Sequence, residues 1–427
     1  MRNVETVTAR SGLCTSCGIC EAVCPKNCIK FLRTAGTYVP SIEASKCSDC
    51  GLCLDVCPGH RVDFVQLYHQ EGRDVPADIY VGHVRRCLIS HARDDSTRMA
   101  GVSGGTVAAI VKELLEISEY DGAFVVDTFA YDAYVYTKLY RRVDVHKTCK
   151  SRYVPISHRD MIQFARENRD QKIIVVGTSC AVQGFLKVIS RFGLERDNYL
   201  IIGLFCDRTL SYNVFDYFAH YGRPKASLAK LIFRTKEGSA WPGIVKLEYD
   251  DGTYRYLSSI ERKALKDYFQ LERCLYCIDK LNQFADISVG DNYTGRHSSP
   301  KGSNSVIIRT RRGEQAWESA ERAIQSFPST ITDIYSSQQI QKRTENYRLA
   351  VEKKRMTNID IYPTYREEPP PISSKLLSRK LRLLRIGADY PSTKRQLTVN
   401  LLFIRMLFLA GRLKAKLARG IRHIGAN

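Results

Sequence analysis

The stretch CTSCGICEAVCP at residues 14–25 returns as CSDCGLCLDVCP at residues 47–58. Each copy spaces its cysteines as C-x2-C-x2-C-x3-C-P, which is an iron-sulfur signature. Three thiolates at intervals of three residues can wrap one face of a cubane, and the fourth cysteine, just before the proline, points toward the partner cluster. The repeat therefore predicts two 4Fe-4S clusters that exchange their fourth ligands.

The predicted ligand sets join three cysteines of one copy to the last cysteine of the other. One set is Cys14, Cys17, Cys20 and Cys57, and the other is Cys47, Cys50, Cys53 and Cys24. Zinc is the nearest alternative, but structural zinc sites use paired cysteines that close a tetrahedron. Residues 1–5 contain no apolar run typical of a secretory signal, so we expect a reducing, cytoplasmic location. Because thiols stay free in such a compartment, disulfides are disfavoured.

The composition predicts a small cysteine-rich module followed by a larger domain. The chain has 427 residues, of which 44% are hydrophobic and 26% are charged, enough to build a second core. We predict a ferredoxin-like domain with two 4Fe-4S clusters at residues 1–66, an α/β domain with some α+β character at 67–360, and a linker with a basic helical tail at 361–427. The longest strongly apolar stretch, residues 399–410, is shorter than the roughly 20 residues that a bilayer requires.

Apolar strands alternate with amphipathic helices through the larger domain. The predicted helices are 105–118 and 181–192, and the predicted strands are 30–32 and 62–67 in the module and 123–127, 172–176 and 199–205 in the domain. Residues 245–249 and 254–257 predict a hairpin that turns at Asp250, Asp251 and Gly252. The run Pro369, Pro370 and Pro371 predicts a linker, since consecutive prolines disfavour helix.

Four further cysteines are candidates for a third metal centre. Cys180 follows one predicted strand and Cys206 closes another, and the ends of neighbouring strands meet in space. Cys274 and Cys277 form a C-x2-C pair that can reach one metal. The spacing alone leaves three alternatives open, namely buried small residues, zinc binding and thiol exchange. Cys28, Cys87 and Cys149 match no metal spacing and are interpreted as small core residues.

Several ordered motifs resemble the coenzyme F(420) hydrogenase/dehydrogenase beta-subunit family. They are GTSCAVQG at 177–184, GLFC at 203–206, RCLYC at 273–277 and FADISVGD at 284–291, with SGG at 103–105, SRYV at 151–154 and KGS at 301–303. The resemblance covers roughly residues 8–325. It implies that Cys180, Cys206, Cys274 and Cys277 hold a third 4Fe-4S cluster beside an FAD.

This sequence departs from the family pattern at two of these motifs. Arg152 stands where the family usually has Lys, which keeps the charge but changes the geometry of a phosphate or flavin contact. Ser179 stands where relatives often have Pro, so the backbone that leads into Cys180 is less constrained. Neither change removes a predicted ligand.

The FAD site is expected at Ser103, Gly104, Gly105 and Thr106, together with Ser151, Arg152 and Tyr153. Two glycines before an apolar helix can expose backbone amides to a pyrophosphate, although an ordinary capped helix has the same pattern. The resemblance favours FAD. No G-x-G-x-x-G fingerprint is present, so NAD(P) binding has no direct support.

These parts together predict an oxidoreductase that couples one-electron transfer through clusters to hydride chemistry at FAD. The expected partners are an electron donor or acceptor such as ferredoxin or reduced deazaflavin, and a small-molecule substrate. The alternatives are a non-catalytic electron-transfer subunit of a larger complex and a redox protein that serves polysaccharide assembly. No acid-base pair is legible, so no catalytic residue is predicted.

The C-terminal tail is strongly basic. Residues 374–427 contain 13 Lys or Arg against one acid, Asp389, so they carry +12 of the net charge of +20. Residues 397–424 predict an amphipathic helix. Its two interpretations are peripheral contact with an anionic membrane at its inner face and docking on the protein or an acidic partner. Nucleic acid is not expected, because an apolar helix face has no role on a phosphate backbone.

Overall fold

The computed structural model of this mixed α/β protein describes residues 2–126, 134–142, 144, 148–221, 226–257, 259–358, 368–402 and 406, without the side chains of 259–261. Its N-terminal module contains the helices α1 (Ile19–Val23), α2 (Leu52–Asp55) and α3 (Phe64–Gln70) and the antiparallel strands β1 (Ile29–Thr34) and β2 (Thr37–Ile42). Helices α1 and α2 each begin after a glycine with positive φ, Gly18 at 71° and Gly51 at 76°. Glycine adopts this conformation without steric cost, so both copies of the repeat turn alike.

The strand predicted at residues 62–67 is wrong, because helix α3 occupies this segment. The Asp63 carboxylate accepts a hydrogen bond of 3.0 Å from the Gln66 backbone N–H, which caps the first turn of the helix. Phe64, Leu67 and Tyr68 then lie on the buried side. The apolar spacing in this segment is therefore that of a short amphipathic helix rather than that of a strand.

A mixed eight-stranded sheet forms the centre of the described part of the larger domain. Its order is β13-β3-β12-β11-β7-β6-β4-β5, with β3 (Arg86–Ala92), β4 (Gly122–Val126), β5 (Thr137–Tyr140), β6 (Ile173–Thr178), β7 (Tyr199–Leu204), β11 (Ile287–Asp291), β12 (Asn304–Ile308) and β13 (Ile324–Pro328). Strands β11, β7, β6 and β4 are parallel, and the flanking pairs are antiparallel. The continuous apolar run of β6 fits burial on both faces.

Helices connect the strands of the larger domain, and several of them pack on the central sheet. Their bounds are α4 (Asp95–Ala100), α5 (Thr106–Glu116), α6 (Arg159–Glu167), α7 (Ser179–Phe192), α8 (Asn213–Ala219), α9 (Ser259–Phe269), α10 (Arg311–Ser319), α11 (Ile331–Ser337), α12 (Arg343–Thr357) and α13 (Ser374–Ala388). The predicted helices at 105–118 and 181–192 are confirmed as α5 and α7. The strands predicted at 30–32, 123–127, 172–176 and 199–205 are confirmed as β1, β4, β6 and β7.

A smaller antiparallel sheet in the order β10-β9-β8 lies beside the central sheet and contains the predicted hairpin. Its strands are β8 (Leu228–Thr235), β9 (Ile244–Tyr249) and β10 (Tyr254–Leu257). Ile386 and Leu397 belong to its hydrophobic cluster, so the first part of the predicted tail packs on this protein. Most of the amphipathic helix predicted at 397–424 lies outside the described residues.

The module and the larger domain share one hydrophobic core. Leu13 and Ile19 from the module belong to the same buried cluster as Val182 and Phe185 from α7. Because apolar side chains of both parts are excluded from water together, the packing holds the module in a defined position on the domain.

Candidate cluster and cofactor sites

The structure places Cys57 with the first three cysteines of the other copy of the repeat. Burial, with a further contribution from the neighbouring Cys57 thiol, raises the pKa of Cys17 to about 12. Burial and the nearby thiols also raise the pKa of Cys14 and of Cys20. Cys14, Cys17, Cys20 and Cys57 are thus brought together in one group, which we call the inner set.

The other four cysteines of the repeat line a second space. Cys24, Cys47, Cys50 and Cys53, here called the outer set, surround a cavity of about 20 Å³. Cys50 is exposed, whereas Cys20 and Cys57 of the inner set are buried. The outer set is therefore the one that reaches the protein surface.

Cys28, which was not predicted as a ligand, lies against the outer set. Its sulfur is 3.4 Å from the Cys24 sulfur, and it lines the same cavity. Its side chain is buried, in agreement with its interpretation as a small core residue. The sequence carries no spacing signal for this contact, because it arises from the fold of the loop after Pro25.

The four cysteines outside the repeat also come together. Burial, and then the neighbouring thiols of Cys274, Cys180 and Cys277, raise the pKa of Cys206 well above its ordinary value. Burial likewise raises the pKa of Cys274 to about 12. We call these four the core set. Because metal binding requires thiolates, loading such buried thiols with iron should release protons.

Helix α12 positions the C-x2-C segment of the core set. The Asn346 side-chain amide donates to the carbonyls of Cys274 and Cys277 at 3.2 and 3.0 Å. The Arg343 guanidinium donates to the Cys277 carbonyl at 3.3 Å and to Asp207 Oδ1 at 2.8 Å. These supporting residues follow no motif in the sequence, and only the fold brings them to the cysteines.

The three sets of four cysteines fit the all-thiolate ligation that 4Fe-4S clusters use. Among the described residues, no group of three or more His, Cys, Asp or Glu is close enough to hold a single metal ion. That finding concerns single ions, and a cubane holds its four thiolates farther apart.

A cavity of about 320 Å³ lies at the carboxyl ends of strands β6, β7 and β11. In open α/β sheets this edge is where ligands bind, and the volume is within the usual range for cofactor pockets. Cys206 of the core set lines the cavity, and so do Ser103, Gly105, Thr106, Ser151, Arg152 and Tyr153. Gly104 does not line it.

The Ser-Gly-Gly loop depends on its two glycines for different reasons. Gly105 has a φ of 75° and forms the N-cap of α5, and this conformation favours a residue without Cβ. A Cβ at Gly104 would lie 2.8 Å from the Ser90 carbonyl oxygen. Gly104 therefore allows the loop to pack on β3, and Gly105 turns it into the helix.

Lys236 forms hydrogen bonds with the Ser-Gly-Gly loop and with two neighbouring segments. Its ammonium group donates to the backbone carbonyls of Arg98, Ser103 and Lys301 at 2.6, 2.8 and 2.7 Å. Burial, with the nearby Lys150 charge, lowers the pKa of Lys236 to about 8. One buried lysine, which directly follows β8, thus joins three separate segments at the cavity wall.

A buried ion pair lies beside the loop at residues 151–153, the second of the two predicted to bind FAD. Arg234 contacts Asp291 through two hydrogen bonds of 2.6 and 3.2 Å, and it also donates to the Tyr153 hydroxyl at 3.2 Å. Although burial alone would raise it, the Arg234 guanidinium holds the pKa of Asp291 below its ordinary value. The Tyr293 hydroxyl donates to the same carboxylate at 3.0 Å.

Sequence reasoning did not identify Arg234, Lys236 and Asp291 as site residues. Asp291 ends both the FADISVGD motif and a strand whose carboxyl end faces the cavity, and these two features were the available signals. Arg234 lies on β8 of the smaller sheet and Lys236 directly follows that strand, and no motif marks them.

Comparison with known proteins matches three sequence models to successive parts of the chain. The 4Fe-4S dicluster domain matches residues 13–87. The N-terminal and C-terminal models of the coenzyme F(420) hydrogenase/dehydrogenase beta subunit match residues 87–163 and 170–330.

The chain belongs to the coenzyme F(420) hydrogenase/dehydrogenase beta-subunit family. It carries a ferredoxin-type 4Fe-4S domain at its N-terminal side, as the motifs had indicated. Within this family it is an iron-sulfur redox protein, and its similar proteins include oxidoreductases.

Two curated relatives illustrate the range of similar proteins. A coenzyme F(420)-dependent sulfite reductase from Methanocaldococcus jannaschii is 28% identical over 73% of this chain, and the alignment spans only 46% of that reductase. One of the subunits of an F(420)H(2) dehydrogenase from Methanosarcina mazei is 26% identical over 72% of this chain and 82% of its own length.

A solved structure supports the fold of the beta-subunit family. A chain of the F(420)-reducing [NiFe] hydrogenase complex from Methanosarcina barkeri superposes with a TM-score of 0.52 and 20% identity, over 67% of this chain and 99% of its own. In the part of the chain that is described, no helix has the length and apolar character needed to cross a membrane.

Proposed function

We propose that this chain is an iron-sulfur flavoprotein oxidoreductase that exchanges electrons between three 4Fe-4S clusters, an FAD and a small-molecule substrate. The inner, outer and core sets of cysteines hold the clusters, and the 320 Å³ cavity holds the FAD. When bound, these groups supply one-electron transfer at the clusters and hydride transfer at the flavin.

The observation that carries this proposal is the lining of the cavity. Cys206 of the core set and both predicted flavin loops border the same space. A flavin held by Ser103, Gly105, Thr106 and Arg152 would thus lie beside a cluster ligand. A protein that served only as a chain of clusters would have no need for a cavity of cofactor size at this position.

The three cysteine sets lie in series. Cys17 of the inner set is close enough to Cys180 of the core set for the two thiols to affect each other electrostatically. Cys20 of the inner set is in turn affected electrostatically by Cys53 of the outer set, and the outer set exposes Cys50. We therefore place contact with an external one-electron partner, such as a ferredoxin, at Cys50.

The chemistry of the cavity wall supports a ligand with negative charge. Lys150, Arg152, Arg208, Arg262 and Lys266 all line the cavity. Burial lowers the pKa of Lys150, so an anion bound beside it would stabilise its charged form. The pyrophosphate of FAD is such an anion.

A deazaflavin coenzyme is the first substrate to test. The names of the relatives from Methanocaldococcus jannaschii and Methanosarcina mazei both include F(420). The two alignments cover 73% and 72% of this chain. The alignment with the reductase covers only 46% of that protein, so the activity of the reductase as a whole is that of a longer protein.

Anaerobic reconstitution with iron, sulfide and FAD tests the proposal. We expect about twelve iron atoms and one FAD per chain, with bleaching of the flavin by reduced deazaflavin, reduced ferredoxin or NAD(P)H identifying the donor. Cys206→Ser should lose about four irons, and Cys87→Ser, the matched control, should lose none. A chain with iron but without bound flavin would instead be an electron-transfer subunit.

A single residue tests the flavin part of the proposal. Replacing Arg152 by alanine should weaken FAD binding roughly tenfold or more, because a hydrogen bond to a charged group contributes about 1.5–3 kcal/mol. Arg311→Ala, at an exposed position on α10, serves as the control. Equal flavin affinity of the two variants would contradict the proposed contact between Arg152 and the FAD.

A further inference from the structure

Helix α7 contacts both the core set and the inner set of cysteines. Cys180 is its second residue, and Gly184 lies one turn later. A Cβ built on Gly184 would lie 2.5 Å from Ile19 Cδ1 and 3.3 Å from Pro58 Cδ and Cγ. Ile19 stands between Cys17 and Cys20, and Pro58 follows Cys57 directly. The bare face of Gly184 is thus covered by both segments that carry the inner set.

The next turn of the same helix fixes this contact. Lys187 donates from its ammonium group to the backbone carbonyls of Cys57, His60 and Arg61 at 3.0, 3.3 and 3.3 Å. From the other side, Arg273, the neighbour of Cys274, donates to the Pro58 carbonyl at 3.4 Å. Two segments that carry cysteines of the core set, helix α7 and the C-x2-C segment, therefore contact Cys57 and Pro58.

We infer that Gly184 is a positioning residue that sets the closest approach between the inner and core sets and hence the electron-transfer distance between their clusters. The inference rests on the proposed function. Glycine inside a helix is unfavourable compared with alanine, so a gain from tight packing is needed to explain it here. Removing a side chain at this position lets the ferredoxin module come closer to Cys180.

A graded series of variants tests this inference in the full-length, cluster-loaded protein. Gly184→Ala and Gly184→Val introduce increasing bulk against Ile19 and Pro58. Because tunnelling rates fall exponentially with distance, we expect electron transfer between the two clusters to slow severalfold in Gly184→Ala and further in Gly184→Val. The magnetic coupling between the two reduced clusters, measured by electron paramagnetic resonance, should weaken in the same order, with the iron content unchanged.

A compensating change separates positioning from general damage. The closest obstruction is the Cδ1 methyl of Ile19, and Ile19→Val deletes this methyl alone. Adding Ile19→Val to Gly184→Ala should return the coupling and the rate toward the wild-type values. Ser190→Ala, at an exposed position of the same helix, is the matched control and should change neither.

The possible results distinguish this inference from the proposed function. If the wild-type protein binds about eight irons instead of about twelve, it holds no core cluster, and the proposed function is contradicted. Wild-type protein with about twelve irons, together with a Gly184→Ala variant of unchanged coupling and rate, would overturn the positioning role alone. Weakened coupling that Ile19→Val does not restore would also overturn it.

Discussion

Lys187 Nζ donates a hydrogen bond of 3.0 Å to the backbone carbonyl of Cys57. The bond joins a helix of the larger domain to the loop of the ferredoxin module that carries a predicted cluster ligand. Burial lowers the pKa of Lys187, because removing a charged ammonium group from water costs free energy. The hydrogen bonds to three carbonyls offset this cost.

Replacing Lys187 by alanine should destabilise the protein and loosen the Cys57 loop. Three carbonyls lose their donor, and a buried polar group left without its partner costs about 1–3 kcal/mol. Denaturant unfolding and iron analysis measure the two effects. Lys112→Ala, at an exposed ion pair with Glu116, should change the free energy of unfolding by no more than about 0.5 kcal/mol. Similar results for both variants would contradict the role of Lys187.

Loss of the fourth outer ligand should affect the cluster of the other copy of the repeat. We predict that Cys24→Ser alone is partly compensated, because the Cys28 sulfur lies 3.4 Å from the Cys24 sulfur. The double variant Cys24→Ser, Cys28→Ser should lose the cluster of Cys47, Cys50 and Cys53 and keep the inner one. Iron analysis with paramagnetic resonance distinguishes the two clusters. Selective loss of the inner cluster would refute the exchanged ligands.

Breaking the Arg234–Asp291 ion pair should be strongly destabilising. The side chains are only 4% and 18% exposed, and removing one partner of a buried pair costs about 3–5 kcal/mol. Asp291→Asn should therefore lower the free energy of unfolding by about this amount. It should also weaken flavin binding, because Arg234, which donates to Tyr153, loses the carboxylate that fixes it. Arg10→Ala breaks the exposed Arg10–Glu5 pair and should cost less than about 1 kcal/mol. An equally small effect of Asp291→Asn would show that the pair is not needed.

Lys236 should make the free energy of unfolding depend on pH in the alkaline range. Its pKa in the folded protein is about 8, below the ordinary lysine value of 10.5, so the unfolded chain binds the proton more tightly in this interval. The contribution of Lys236 to the free energy of unfolding therefore rises between about pH 8 and pH 10.5. Lys236→Met should remove this rise. If the free energy of unfolding changes equally with pH in the wild type and the variant across that range, the pKa shift is contradicted.

The basic tail should bind anionic membranes. Residues 403–427 carry six basic side chains and no acid, and each basic residue near an anionic surface contributes about 1 kcal/mol. The full chain should sediment with anionic vesicles more than with neutral ones, whereas a chain ending at residue 402 should sediment with neither. This truncation spares Ile386 and Leu397, which pack on the smaller sheet. Equal sedimentation of the two proteins would remove the membrane interpretation.

Sequence patterns alone were sufficient to predict several local elements of this protein. The two C-x2-C-x2-C-x3-C-P repeats, the helices α5 and α7 and the apolar strands β6 and β7 were predicted from patterns within a few residues. Such patterns are legible because hydrogen bonding and side-chain direction repeat at short, fixed intervals. The segment at 62–67 was misread as a strand because a short apolar run fits either period, and only the Asp63 cap decides between them.

Tertiary structure decided which of these local elements meet. The contact of Cys28 with Cys24, the support of Lys236 under Ser103 and the approach of Ile19 to Gly184 all join residues that no spacing rule relates. The ion pair between Arg234 and Asp291 joins strands of two different sheets. Such contacts follow from the packing of the whole chain, because burial is nondirectional and selects partners by shape and volume rather than by position in the sequence.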